Sequence, residues 1–123
     1  MKIERGKFQD AESLTTLMKD GFGWKNKGDM SKDFFSNKKN EIMGTSTLHI
    51  IEKVDRRIGL IEDVVVSKKF RGKLVASSII KKLISISKKE GCYKTILNTD
   101  SKTESFYKKL GFAQKNLQME IRF

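Results

Sequence analysis

Residues 58–66, Ile-Gly-Leu-Ile-Glu-Asp-Val-Val-Val, constrain this chain more than any other stretch. An almost unbroken apolar run of strand length is the form expected of a strand covered on both faces. It calls for a sheet with helices packed against it. Two adjacent carboxylates, Glu62 and Asp63, interrupt the run. Alternation along a strand sends neighbours to opposite faces, so at least one of them is expected to meet a covered environment. Burying an unpaired charge is costly. The pair therefore serves a function, or Asp63 pairs with a lysine or caps a loop.

The elements around this strand follow from local pattern. Residues 2–7 read as a short first strand. Asp10 can cap a helix with Ala11, Leu14, Leu17 and Met18 at helical spacing, stopping at Gly21. Gly21-Phe22-Gly23-Trp24 turns the chain, and Met30, Phe34 and Phe35 fit either a second short helix or the start of a strand. Residues 41–53 alternate as a strand, with Thr45, Thr47, His49 and Ile51 on one face, and the charged residues 53–57 make a hairpin turn. After a loop over 67–72, Ala76, Ile79, Ile80, Leu83, Ile84 and Ser87 form one stripe of a helix that Gly91 ends. Residues 93–99 are a further strand. Ser101 and Glu104 fit a capping box for a short helix over 106–110, closed by Gly111. Leu117, Met119 and Ile121 alternate with polar residues as a last strand. Strand, helix, strand, helix, strand is the order of an α/β chain with a covered central sheet.

Length and charge bound what such a chain can do. With 123 residues it is expected to form a single domain, 1–123. One cysteine and one histidine exclude an internal disulfide framework, a cysteine-rich zinc site and any site needing two imidazoles. The charged opening residues do not read as a secretory signal, and no apolar run is long enough to span a bilayer, so a soluble cytoplasmic protein is expected. The net charge of +11 divides unevenly, +3 in residues 1–61 and +8 in residues 62–123. A basic back half suits nucleic acid, an anionic membrane or a phosphorylated small molecule. Equally, the pairs Lys81-Lys82, Lys88-Lys89 and Lys108-Lys109 fall where helix exteriors would be solvated.

Two further features accompany the carboxylates. Arg71-Gly72-Lys73 opens the long helix directly after the apolar strand, and helix N-terminal amides beside cations suit a pyrophosphate. Residues 105–112, Ser-Phe-Tyr-Lys-Lys-Leu-Gly-Phe, read by themselves as a capped helix with aromatic anchors. In this order the three features resemble the GNAT acetyltransferases, in which an Arg/Gln-x-x-Gly-x-Gly/Ala loop after a central strand cradles the pyrophosphate of acetyl-CoA. The closer likeness is to the glucosamine-6-phosphate N-acetyltransferases. Residues 61–66, 71–73, 91–94, 106–112 and 119–123 carry it, and it extends over residues 41–123. The chain departs from the pattern at Leu74-Val75-Ala76, where the family has Gly-x-Gly or Gly-x-Ala. It also departs at Thr103, in the place of an asparagine, and at Asn98, in the place of an acidic residue.

The resemblance implies an α/β (α+β) GNAT fold, a central mixed twisted sheet flanked by helices. It implies transfer of the acetyl group of acetyl-CoA to the amine of glucosamine 6-phosphate by direct attack, without a metal, for UDP-N-acetylglucosamine synthesis. Glu62 and Asp63 would contact the sugar and its amine, and either could take a proton. A backbone N–H at Val64 or Val65 would meet the thioester oxygen. Tyr107 would serve the leaving coenzyme sulfur. Val66, Arg71, Gly72, Lys73, Leu74, Val75, Ala76 and Ser77 would hold pantetheine and pyrophosphate, with Thr103 a further cofactor position. Asn98 and Asp100 would lie near the acceptor. Arg122 would read the sugar phosphate, serving the neighbouring subunit's site in an intertwined homodimer. No membrane is implied, and nucleic acid is not an expected partner. His49 reads as structural or solvent-facing, Cys92 as a small buried hydrophobe, and Trp24 as packing. The alternatives are a GNAT enzyme for another amine, which a basic surface disfavours for a polycationic acceptor, and a catalytically weak GNAT-fold module that binds nucleic acid.

Overall fold

The computed structural model describes residues 2–5, 33–36, 42–72 and 74–123. The expected helix over 10–21, the turn holding Trp24, and Lys7, Met30 and Lys73 lie outside the described residues. Among the described residues, five strands form one sheet in the order β1-β2-β3-β4-β5, with β1 Lys2–Arg5, β2 Asp33–Ser36, β3 Ile42–Glu52, β4 Arg57–Val66 and β5 Cys92–Leu97. The first four are antiparallel neighbours, and β5 joins β4 in parallel. Phe34 and Phe35, open between helix and strand by pattern, belong to β2. A parallel pair needs a crossover, and helix α1, Val75–Lys89, supplies it. The sheet is therefore mixed, as the α/β (α+β) reading requires.

The hairpin between β3 and β4 closes where charge replaces hydrophobicity, with the Lys53 N–H donating to the Arg56 carbonyl at 2.7 Å. Its register pairs Glu52 with Arg57, His49 with Leu60, Leu48 with Ile61 and Thr47 with Glu62. The stripe on α1 packs onto the sheet, burying Val75, Ile79, Ile80, Leu83 and Ser87. Met43, Ile61 and Phe70 complete the core. Each fully buried aliphatic side chain of this kind contributes about 1.5–3 kcal/mol. The approach is closest at Gly59, where an added Cβ would run into the Ser87 hydroxyl, and it is tight again at Gly44, where one would lie 2.8 Å from the Val65 carbonyl oxygen and 3.2 Å from both Ile79 and Val75. Thr95 donates to Ser87 at 2.7 Å, which satisfies the buried hydroxyl on the helix.

Three expectations are corrected. The capping box of Ser101 and Glu104 does not form. The short helix α2 runs Glu104–Lys109 with Thr103 at its N-cap and no side-chain cap. Asp100 organises the turn instead, its Oδ1 accepting from the N–H groups of Lys102 and Thr103 at 3.0 and 3.1 Å. Glu62 and Asp63 do not simply alternate, because β4 carries an extra residue there. Glu62 is exposed and Asp63 half-buried, so neither carboxylate is enclosed. Finally, the chain after Gly111 forms no strand. Leu117, Met119, Ile121 and Phe123 are 84, 89, 81 and 116% exposed. A period of two specifies two faces but supplies no neighbour, and among the described residues no strand pairs with this segment.

Candidate active site

The pairing of β4 with β5 stops at Ile61↔Leu97, while β4 continues to Val66 against β3 alone. The two parallel strands thus part where the carboxylates begin. Glu62 and Asn98 are the next residues on either side of the opening. Beyond it the backbone of Val64 to Val66 has β3 on one side and no β5 strand on the other, leaving a strand edge for an extended ligand.

The opening is shaped by a bulge. Thr47 pairs with Glu62 and Thr45 with Val65, so Ser46 alone faces both Asp63 and Val64. Asp63 takes up the extra residue in the left-handed region, at φ 56°. A non-glycine residue held there costs about 1–2 kcal/mol, and such strain collects where a backbone must aim a group. Ser46, fully buried, secures the bulge by donating to the Glu62 carbonyl at 3.0 Å.

The second component lies beyond the bulge. A single 3-10 turn, Lys68–Phe70, anchors Phe70 in the core and leads into Arg71, whose Nε donates to the Val66 carbonyl at 3.3 Å. Leu74 stands at the N-cap of α1 with φ 62° and ψ 15°, and its side chain is 75% exposed. Left-handed geometry at this position is what glycine adopts without cost. No side chain caps the helix and no acidic residue lies in its first turn. The Ser77 and Ser78 hydroxyls both donate to the Leu74 carbonyl, at 3.1 and 2.9 Å. The N–H groups of Val75, Ala76 and Ser77 precede the first helical carbonyl they could bond, so they point out of the helix end. With the exposed cations Lys68, Lys69 and Arg71 nearby, this end fits a diphosphate in both charge and geometry. Lys73 is outside the described residues.

Tyr107, on α2, is half-buried and packs against the core cluster, as do Val64 and Val66. Its ring meets Phe106 and Phe112 edge-on, at 4.9 and 5.9 Å between centroids. Burial, and secondarily the negative charge of Asp100, hold the phenol's pKa above its ordinary value. Hydrogen bonds from Thr103 hold the Asp100 carboxyl below the usual carboxylate range. The Thr103 hydroxyl, which also contacts that of Thr99, is thereby engaged with the Asp100 turn.

Most of the expected positions therefore gather at one end of the sheet, where β4, β5, α1 and the Asp100 turn meet. Arg122 does not join them. It lies on the exposed tail and bonds Glu120 at 2.9 Å. Pattern reading did not single out Ser46, and it gave Thr47 and His49 places on a strand face without their neighbour: Thr47 lies opposite Glu62, and His49 Nε2 lies 3.1 Å from Glu62 Oε2. Counting back from the charged turn would have placed Thr47 opposite Glu62, with His49 beside it on the same face.

The profile of the acetyltransferase (GNAT) family matches residues 4–112, and the chain belongs to that family. Within it, the chain is 38% identical over 97 residues to the glucosamine 6-phosphate N-acetyltransferase of Trypanosoma brucei brucei, covering 76% of this chain and 66% of that protein. To the Arabidopsis thaliana protein of the same name it is 37% identical over 86 residues, 68% of this chain and 58% of the relative. It spans from about two fifths to just under two thirds of the length of such relatives. Among solved structures, an acetyltransferase of Trypanosoma brucei superimposes with a TM-score of 0.90 at 27% identity, covering 99% of both chains. Glucosamine-6-phosphate N-acetyltransferase from Arabidopsis thaliana gives 0.85 at 25% identity, covering 99% of this chain and 97% of that one.

Proposed function

We propose that this chain moves the acetyl group of acetyl-CoA to the amine of D-glucosamine 6-phosphate, giving N-acetyl-D-glucosamine 6-phosphate for UDP-N-acetylglucosamine synthesis in the cytoplasm. The observation that carries the reading is the bulge at Glu62 and Asp63, set where β4 and β5 part and next to the uncapped start of α1. The named function of the curated relatives supplies the acceptor.

Acetyl-CoA supplies an acetyl group already activated as a thioester. Arg71, Gly72, Lys73 and the amides of Leu74 to Ser77 hold its diphosphate. The open edge of β4 at Val64 to Val66 aligns the pantetheine arm. An N–H of Val64 or Val65, aimed by the bulge, stabilises negative charge on the carbonyl oxygen, an interaction that strengthens as charge develops. Glu62 and Asp63 orient the acceptor amine, and one of them takes its proton. Tyr107, kept protonated by burial, gives a proton to the departing sulfur. Asn98 and Asp100 border the acceptor from the end of β5, with Thr103 fixing Asp100. Arg122 provides the planar fork suited to a phosphate dianion.

The tail supports a second copy of this chain as partner. Four apolar side chains at alternate positions stand in solvent, and a segment of this pattern gains a neighbour when another subunit's sheet accepts it. Arg122 then reaches an acceptor site through that exchange. Incubating the purified protein with acetyl-CoA and glucosamine 6-phosphate should yield a product heavier by one acetyl group, identified by mass spectrometry. Absence of that product, alongside acetylation of a lysine peptide or a polyamine, would reassign the acceptor.

A further inference from the structure

Every exposed position of α1 is a lysine or a serine: Lys81, Lys82, Ser85, Lys88 and Lys89. At 3.6 residues per turn the five fall within an arc of about 120° with Ser85 at its centre, and they cover about 12 Å of the helix axis. Each lysine stands three or four residues from Ser85, which makes all four its neighbours on the helix surface. No Asp or Glu stands three or four residues from any of these lysines. Solvated helix exteriors ordinarily mix signs, and other cations of this chain have acids beside them. Lys108 pairs with Glu104 across one turn of α2 at 3.0 Å, and Arg57 lies 2.6 Å from Glu52 and 3.8 Å from Glu90. Glu90, the acid next in sequence to the lysine face, thus lies past the end of α1 and beside Arg57.

We infer that this face of α1 docks the phosphate backbone of double-stranded nucleic acid, a role beside acetyl transfer and independent of it. Lysine ammoniums and serine hydroxyls both bond phosphate oxygens. A duplex carries one negative charge per about 1.7 Å of its axis, so four ammoniums spread over this patch each find a phosphate without a required register. The ridge is convex, as a helix laid against a grooved cylinder must be. It has no aromatic side chain on which unpaired bases could stack. It also has no arginine, asparagine or glutamine to read base edges, so the contact is to the backbone and indifferent to sequence.

Other polyanions suit the face poorly. A protein partner would find no aromatic or aliphatic anchor among its exposed side chains. A membrane would find no apolar side chain to take up, because the apolar stripe of α1, with Ile79, Ile80 and Leu83, is buried against the sheet.

Fluorescence anisotropy of a labelled RNA duplex of two helical turns tests the inference, with the wild type set against Lys81→Gln/Lys82→Gln/Lys88→Gln/Lys89→Gln. Glutamine keeps the helix propensity of lysine, and the four positions lie outside the coenzyme and catalytic residues, so the variant should keep its circular dichroism and its kcat. Four phosphate contacts give log K a slope of about −3.6 against log salt, a loss of about 150-fold between about 50 and 200 mM. The wild type should show at least that dependence, and the fourfold variant should lose a slope of about 3.6. Ser85→Glu, which sets a carboxylate among the four lysines, should by itself flatten the slope by about one or more. A fourfold variant that binds the duplex like the wild type, or a wild type that binds none at low salt, overturns the inference. Tighter binding of polyglutamate or of phosphatidylserine vesicles through the same lysines overturns it as well.

Discussion

The hydroxyl of Ser46 donates to the carbonyl of Glu62 at 3.0 Å, across the one place where β3 and β4 fall out of step. A buried serine on one strand thus secures the bulge that aims the next. In Ser46→Ala that carbonyl loses its partner, and stability should fall by about 1 kcal/mol. Activity should fall by more than the stability change explains, because the Val64 and Val65 amides lose their aim. Denaturant unfolding and kcat, measured on the same preparation, check both. An active site untouched by the change would mean that the bulge holds itself.

Leu74 occupies a left-handed conformation at the start of α1. Leu74→Gly removes a penalty of about 1 kcal/mol, partly offset by the freedom glycine gains in the unfolded chain. The variant should bind CoA more tightly, since the 75% exposed side chain no longer stands beside the helix end. Titration calorimetry of CoA against both proteins reads the difference. Weaker binding by the glycine variant would show that Leu74 itself contacts the coenzyme.

Tyr107 should keep its proton to higher pH than a free phenol, by burial first and the charge of Asp100 second. The sign follows from linkage. The unfolded chain ionises near 10.0 while the folded one does not, so this contribution is fully present below that pH. It is lost as pH rises through the higher folded value. Absorbance titration of Tyr93→Phe, which leaves Tyr107 as the remaining phenol, should give a midpoint above 10.0. In turnover, Tyr107→Phe should reduce kcat by about a hundredfold or more and leave acetyl-CoA affinity nearly unchanged.

Much of the fold was legible because periodicity carries it. The stripe on α1 and the two long strands lie where pattern placed them, and Gly91 and Gly111 have the positive φ of 80° and 100° that helix ends favour. Other features depend on a partner that no single segment names. The bulge is a relation between Ser46 and two residues of another strand, so the run over residues 58–66 looked continuous. The alternation of Leu117, Met119 and Ile121 reads as a strand, yet nothing in those residues says that their neighbour is missing from the fold. Leu74 was visible as an odd residue in a loop motif, but its backbone conformation was not. The capping box failed for a related reason: Asp100, one residue outside the motif, draws the Lys102 and Thr103 amides into its own turn, and the helix starts only after Thr103, not after Ser101.

The exposed tail leads to an oligomeric prediction. The full chain should sediment as a dimer, and removal of residues 117–123 should leave a monomer with a folded sheet. Arg122→Ala should preserve the dimer but raise the KM for glucosamine 6-phosphate, since it removes a charge-assisted contact worth about 1.5–3 kcal/mol. A monomeric full-length chain would remove Arg122 from any neighbouring site.

Release of free CoA thiol from acetyl-CoA, followed with glucosamine 6-phosphate and with glucosamine side by side, tests the account most directly. Release should be rapid with the phosphorylated sugar and much slower with the plain one. Equal rates with the two sugars, or none with either, would contradict it.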